Sequence, residues 1–405
     1  MFAACRLADA GIRGVTLFEK NDRLGKKLAI TGKGRCNLTN RCTPGEVLLN
    51  VPTNPKFLYS ALRCLSPEDV TDYFENVLGV RLKTERGNRV FPQSDRASEI
   101  VLALKRHLEK GGVRTVNARV RAIAAEGGAV RAVETDKGSF DCDAVIFCPG
   151  GCSYPSTGSD GKSYAIVTAL RHTVVPPRPS LVPLETAGSL HLGLQGLSLK
   201  NTGLKLVERE SGRVIYEDLG EMLFTHFGLS GPTVLSASAH MRDAAAGKYE
   251  IVLDLKPGLD EKTLDRRLLS DFEKYSNKDL QNALHDLLPA KMIPAIITAS
   301  SVDPHKKVHE ITKEERVRLR AKLKALRFTV TGFRPIDEAI VTSGGVNVNE
   351  VRAATMESKF VKGLYFAGEV LDVDAYTGGF NLQIAFSTAA LAARSLCGAL
   401  QDRIN

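Results

Sequence analysis

VKGLYFAGEVLDVDAYTGGFNLQIAFSTAALAARSL, residues 361–396, is the stretch on which the fold assignment turns. GLYFAGE is a short apolar strand ending in Gly368 and an acid, Glu369. YTGGFNLQ then opens a long apolar helix through Gly378 and Gly379. A helix start presents free backbone amides and the positive end of a dipole, which suits a ligand carrying partial negative charge.

Working outward, the N-terminal segment supplies a matching half. Phe2 to Ala10 has small and apolar residues at helical spacing, Gly11 stops it, and GVTLFEK follows as a buried strand closing on Glu19. This is the second half of a βαβ unit, whose terminal carboxylate accepts hydrogen bonds from the hydroxyls of an adenosine ribose. The strand and G-x-G-x-x-G loop expected ahead of that helix are absent. The reading therefore expects Met1 to be an internal start, and the chain as written to bind its cofactor weakly. NDRLGKKLAITGKGRCNLTN, residues 21–40, reads as a loop with Gly25, Gly32 and Gly34 among cations, a composition suited to a phosphate-bearing ligand. AVIFCPGG, residues 144–151, is a buried parallel strand ending in Gly150 and Gly151, and a Ser, Thr and Gly-rich turn leads from it into a helix.

Helices are expected over Phe57 to Gly79 and Ala97 to Gly111, and three or four strands between 113 and 151. Four prolines within VVPPRPSLVPL, residues 174–184, mark the best domain boundary. The expected organisation is a discontinuous nucleotide-binding domain over 1–175 and 334–405. A β-barrel-like substrate domain takes 176–258 and 326–333, and a helical insertion 259–325.

The bulk composition is that of an ordinary globular protein, with 43% hydrophobic and 25% charged residues. No apolar run reaches the ~18 residues needed to cross a bilayer, so the expected compartment is the cytoplasm and no membrane partner is expected. The formal charge of +9 raises the question of nucleic acid. Its densest run, KEERVRLRAKLKALR from Lys313, is interleaved with acids and reads first as a solvated helix face, so a nucleic-acid partner is not expected. The eight cysteines include no CxxC pair, which argues against zinc.

GKKLAITGKGRCNLTN, GGCSYPSTGSDG with RPSLVPL, LFTHFGLSGP, AIVTSGGV and LYFAGEVLDVDAYTGGFNLQIAFS together resemble, in order and spacing, the BaiN-like (YhiN-type) FAD-dependent oxidoreductases, some known as aminoacetone oxidase family enzymes. The resemblance runs from about residue 2 to the C-terminus. It implies an α/β fold: a glutathione-reductase-like, Rossmann-type FAD domain built from both chain ends, with a barrel-like and a helical region inserted. It implies FAD as cofactor, NAD(P)H as a possible reductant and a small or steroid-like organic substrate, and leaves the reaction open.

Carried over residue by residue, Glu19 with Lys20 would hold the adenosine ribose. The loop of Gly32, Lys33, Gly34, Arg35, Cys36, Asn37 and Thr39 would pass beside the pyrophosphate and flavin. Gly150 and Gly151 would close over the cofactor. Gly368 and Glu369, with Asp372 just beyond, would take the ribityl position, and Gly378, Gly379, Phe380, Asn381, Leu382 and Gln383 would face the pyrimidine edge. The strand usually ending Ala-Thr-Gly-Gly here ends Cys148-Pro149-Gly150-Gly151.

A flavin carries the redox chemistry itself, so the protein must supply position, electrostatics and a proton. His226, in THFGLSGP, is the expected general acid. Cys36 as a redox thiol is a weaker alternative, because its nearest thiol, Cys42, stands six positions on. Two further classes stay open: a flavin-dependent RNA-binding or RNA-modifying protein, suggested by the charge, and an inactive nucleotide-fold scaffold.

Overall fold

The computed structural model describes residues 1–241 and 245–404, and the chain divides into two compact units, Met1–Ser180 with Ile336–Asn405, and Leu181–Pro335.

In the first unit the opening helix, Phe2–Asp9, buries Phe2, Ala3, Ala4, Cys5 and Leu7. β1 (Thr16–Glu19) follows it and lies far along the chain from its parallel partner, β5. Between them come β2 (Thr39–Asn40), β3 (Leu82–Glu85) and β4 (Arg89–Pro92), an antiparallel sheet in the order β2-β4-β3. β5 (Arg114–Asn117) is followed by the meander β6 (Val120–Glu126), β7 (Ala129–Thr135) and β8 (Gly138–Asp141), then by β9 (Val145–Phe147). The 113–151 region thus holds five strands rather than three or four.

The single helix expected over 57–79 is instead a 3-10 turn at Pro55–Leu58, helices at Tyr59–Cys64 and Pro67–Asp72, and a π-turn at Tyr73–Val77. Pro67 cannot extend the preceding helix. Ser66 and Asp69 form a reciprocal capping box that starts a new one.

β10 (Val174–Ser180) is the proline-rich segment, and the division between units falls directly after it. In the second unit β11 (Leu184–Thr186), β12 (Ser198–Glu208), β13 (Val214–Phe224), β14 (Gly228–Ser230), β15 (Tyr249–Asp254) and β16 (Leu326–Phe333) close a barrel in the order β11-β14-β13-β12-β15-β16. Leu204, Leu206, Met222, Phe224, Ile251, Leu253 and Phe328 are buried in one core with the helices of residues 261–324. Apolar side chains at alternate positions, Leu204 and Leu206, Ile251 and Leu253, are the strand periodicity that gives a barrel a packed interior.

The chain then re-enters the first unit. β17 (Val341–Val346) pairs antiparallel with β10, and β18 (Leu364–Phe366) runs parallel to β9. The proline strand β10 tolerates its missing donors through a bulge between Val175 and Arg178. Among the described residues β1 ladders only to β5 and β9 only to β18, and all four residues of β1 are half-buried where the sequence predicts a buried strand. The Phe380–Ile404 helix closes this unit. No helix among the described residues is long and apolar enough to cross a membrane.

Candidate functional site

Three strands of the first unit, each a member of a parallel pair, end in the residues singled out by sequence: β1 in Glu19, β9 shortly before Gly150 and Gly151, β18 shortly before Gly368 and Glu369. In open α/β sheets ligands bind at these carboxyl ends.

At the first end, Glu19 Oε1 accepts hydrogen bonds from the Asn21 backbone N and Nδ2, both at 2.8 Å. Its other oxygen accepts nothing from the described residues. Asn21 Nδ2 also donates to the Thr157 carbonyl at 3.0 Å, and Lys20 pairs with Asp160 at 3.1 Å. The turn after β9 is thereby tied to the end of β1. Gly158 must be glycine there, since its φ is +103° and a Cβ would stand 2.7 Å from Asn21 Nδ2.

The second end is a network the sequence did not reveal. Lys27 Nζ donates to Glu369 Oε2 at 2.5 Å, to Ser153 Oγ at 2.9 Å, to the Ser153 carbonyl at 3.2 Å and to Ser159 Oγ at 3.4 Å. Glu369 Oε1 accepts from Ser153 Oγ at 3.0 Å and from the Thr342 backbone N at 2.8 Å. Thr342 Oγ1 in turn accepts from the Cys152 and Ser153 backbone N atoms. A Cβ on Gly151 would lie 2.7 Å from Thr342 Cβ and 3.2 Å from Glu369 Cδ, so only glycine lets these pieces meet. Glu369 therefore faces Lys27, Ser153 and Thr342. Asp372 holds backbone: its carboxylate accepts from Gly344 N at 3.1 Å and Asn54 Nδ2 at 3.1 Å. Burial, with Asp374 nearby, raises its pKa.

The third group joins the 32–40 loop to the glycine turn before the last helix. The loop opens as a helix at Lys26, and its three consecutive left-handed residues are Gly32, Lys33 and Gly34, at φ +56°, +58° and +82°. Thr39 Oγ1 donates to Gln383 Oε1 at 2.5 Å, and Gln383 Nε2 donates to Leu65 O and Ser387 Oγ. Asn40 Nδ2 donates to the Gly378 carbonyl at 3.0 Å. With its amide oriented to satisfy both groups, Asn37 donates to Thr39 O and accepts from Gly379 N. Asn381 caps its own turn, accepting from Ala375 N and donating to Ala375 O. Phe380 is buried and Leu382 half-buried.

Other residues in that loop serve elsewhere. Arg35 is engaged by Glu85 and Asp95 and lies over the Phe91 ring at 4.2 Å. Cys36 is 0% exposed in the apolar core, and burial pushes its thiol up to about 12. Burial of this kind disfavours the thiolate form that a redox or nucleophilic cysteine uses. In the second unit His226 is exposed on the turn between β13 and β14, its ring 5.0 Å from that of Phe227. Among the described residues no cluster of three or more His, Cys, Asp or Glu could hold a metal ion.

A dinucleotide with a flavin at one end fits this set. Glu19 keeps one carboxylate oxygen without a partner among the described residues, and the glycines at 150, 151, 378 and 379 let segments of this unit approach closely. Among the described residues, three buried polar atoms of this unit, Tyr164 Oη, His172 Nδ1 and Asp374 Oδ1, lack a hydrogen-bond partner.

The family profile described as HI0933-like protein Rossmann domain matches residues 1–395. The chain belongs to the HI0933-like family. It is a Rossmann-type flavoprotein oxidoreductase by that membership, with a six-stranded barrel in its second unit. It is 32% identical over 394 residues to the 3-dehydro-bile acid delta(4,6)-reductase of Clostridium scindens, covering 94% of this chain and 92% of that one. It is 31% identical to the ribosomal RNA dihydrouridine synthase of Escherichia coli, covering 98% and 96%. Among solved structures, a flavocytochrome c3 fumarate reductase in its open conformation aligns with a TM-score of 0.46 at 14% identity, covering 98% of this chain and 76% of that one.

Proposed function

We propose that this chain is an FAD-dependent reductase that saturates a carbon–carbon double bond conjugated to a carbonyl, with NAD(P)H as reductant. The observation that carries the reading is the convergence of Glu19, the Gly150–Gly151 turn and Glu369 at the carboxyl ends of parallel strands. Two relatives named for different substrates support the reaction class. A 4,6-diene in a 3-oxo steroid and the 5,6 bond of uracil are both conjugated to a carbonyl.

When bound, the flavin would supply the hydride. The chain's own residues do the rest. Glu19 accepts from the ribose hydroxyls. Lys27, held by Glu369 and Ser153, sets the positive charge of the central segment. The first amides of the last helix offer donors to the electron-rich edge of the ring. Hydride arriving at the β-carbon pushes the π electrons toward the carbonyl oxygen, so a proton must then reach the α-carbon. We assign its delivery to His226.

The test is direct. The flavin released by heating should chromatograph as FAD. The enzyme, reduced anaerobically with NADPH or NADH, should be reoxidised faster by a 3-oxo-4-ene steroid or by uridine within RNA than by buffer. His226→Ala should keep its FAD and its reduction by dithionite while slowing that reoxidation. FMN alone, or indifference to every conjugated carbonyl offered, defeats the proposal.

A further inference from the structure

The hairpin β3–β4 carries a feature that the redox site does not use. Its turn, Arg86-Gly87-Asn88, places Gly87 and Asn88 at φ +77° and +58°, and Arg89 follows directly, laddered opposite Glu85 and Asn40. Arg41 N donates to the Asn88 carbonyl at 2.7 Å, so Arg41 borders the same turn. Arg41, Arg86 and Arg89 are all exposed, and none makes an ion pair with another described residue. The acids of the hairpin are already engaged: Glu85 and Asp95 bind Arg35 and Lys83. Among the described residues no acid neutralises these three guanidinium groups; Arg89 Nε donates to the Arg86 carbonyl at 3.0 Å, which leaves its two terminal nitrogens available at the turn.

That turn is fastened to the redox site. Asn40 is buried, and its Nδ2 donates both to the Gly87 carbonyl at 2.9 Å and to the Gly378 carbonyl at 3.0 Å. One side chain therefore pins the arginine-bearing turn to the glycine turn that opens the last helix. Phe91, the next residue but one after Arg89, lies under Arg35, and a Cβ on Gly32 would meet its ring at 3.4 Å.

We infer that Arg41, Arg86 and Arg89 form a phosphate-binding rim that seats the backbone of an RNA whose uridine is presented to the flavin. The inference rests on the proposed function, because the position of the rim matters only if the Gly378 turn faces the flavin. Unpaired exposed guanidinium groups bind phosphate bidentately and hold a strand in register without reading its sequence. A neutral or singly charged steroid has no use for three of them, whereas each phosphate contact on RNA releases condensed counterion.

The experiment is filter binding of purified bacterial ribosomal RNA and of a short uridine-containing hairpin to the flavin-loaded protein, over a series of KCl concentrations. Arg41→Ala/Arg86→Ala/Arg89→Ala should weaken binding tenfold or more at moderate salt and make the slope of log affinity against log salt shallower by about 2. Flavin absorbance should be unchanged. Arg106→Ala/Arg121→Ala/Lys137→Ala removes the same charge from exposed positions elsewhere in the unit and should leave at least two thirds of that slope change absent. Arg86→Ala alone, on the exposed turn, serves if the triple variant folds poorly, with a slope change of about 0.7. The inference is overturned if the wild-type protein does not bind RNA, or if the two triple variants behave alike. A protein that binds RNA through this rim but carries no FAD would sink the proposed function and leave the rim standing.

Discussion

Lys27 Nζ and Glu369 Oε2 lie 2.5 Å apart although 342 positions separate them in the chain. The pair closes the first unit on itself, joining the segment after β1 to the segment after β18. Lys27 and Glu369 are only 24% and 19% exposed, so neither is fully screened by water. Lys27→Met should leave Glu369 with a half-buried, unbalanced charge, at a cost of about 1–3 kcal/mol, and weaken FAD binding. In a double-mutant cycle with Glu369→Gln, urea denaturation of the flavin-free protein should give a coupling energy above ~1 kcal/mol. Strict additivity would mean the contact contributes nothing to stability.

Gly151 and Gly398 make a matched pair of tests. Gly151→Ala forces a methyl against Thr342 and Glu369. We expect a loss of about 1–3 kcal/mol from overpacking and a fall in bound flavin, because Glu369, one of the displaced groups, holds Lys27. Gly398 sits inside the last helix with nothing within 4 Å of an added Cβ. Gly398→Ala should be neutral or stabilising by ~0.5–1 kcal/mol, with flavin content unchanged. Thermal midpoints and the flavin-to-protein absorbance ratio of both variants decide the point.

What the sequence made legible here is local, and what it hid is long-range. YTGGFNLQ announces a glycine entry to a helix because the signal lies in adjacent residues, and AVIFCPGG announces a strand and turn for the same reason. Lys27 is one of five cations in its loop, and nothing in that loop says which of them finds Ser153, Ser159 and Glu369. Gly151 could be read as a close approach, but not that Thr342 was the neighbour. The break at Ser66-Pro67 was written in the chain as S-P-x-D, yet the apolar spacing from 57 to 79 reads as one helix when periodicity is weighed above capping. Cys36 sits in a motif full of ligand-type residues, yet it is buried on a left-handed backbone, φ +60°, which the motif does not announce.

The thiols supply a chemical check on that burial. Cys148 is exposed, whereas Cys36 is fully buried with its thiol pushed up to about 12. Brief iodoacetamide treatment of the native protein at pH 8 should alkylate Cys148 and spare Cys36, and denaturation should expose Cys36 to the reagent. Cys36→Ser should retain reduction of the flavin by NAD(P)H at a rate close to wild type. Peptide mass mapping reads the first outcome and stopped-flow absorbance the second. Rapid native labelling of Cys36 would place the loop differently from the arrangement described above.

Asp372 gives the pH dependence. Burial is the main cause of its raised pKa, and the nearby Asp374 adds to it, while Asn54 and the Gly344 amide oppose the shift without reversing it. A carboxyl whose folded pKa lies above its unfolded value binds its proton more tightly in the folded state. Its contribution to stability is therefore complete below the ordinary aspartate value of ~3.9. It is lost as pH rises through the raised folded value, the opposite of the usual salt-bridged aspartate. Asp372→Asn cannot ionise and keeps an oxygen to accept from Gly344 N. Relative to wild type, it should gain in urea midpoint as pH is raised from 4 toward 7, with the difference smallest at the acid end. Because the other carboxylates titrate in both proteins, comparing the two midpoints at each pH isolates this one group. A difference that stays constant across the range, or that grows toward acid, would show that Asp372 is ionised in the folded protein at an ordinary or lowered pKa.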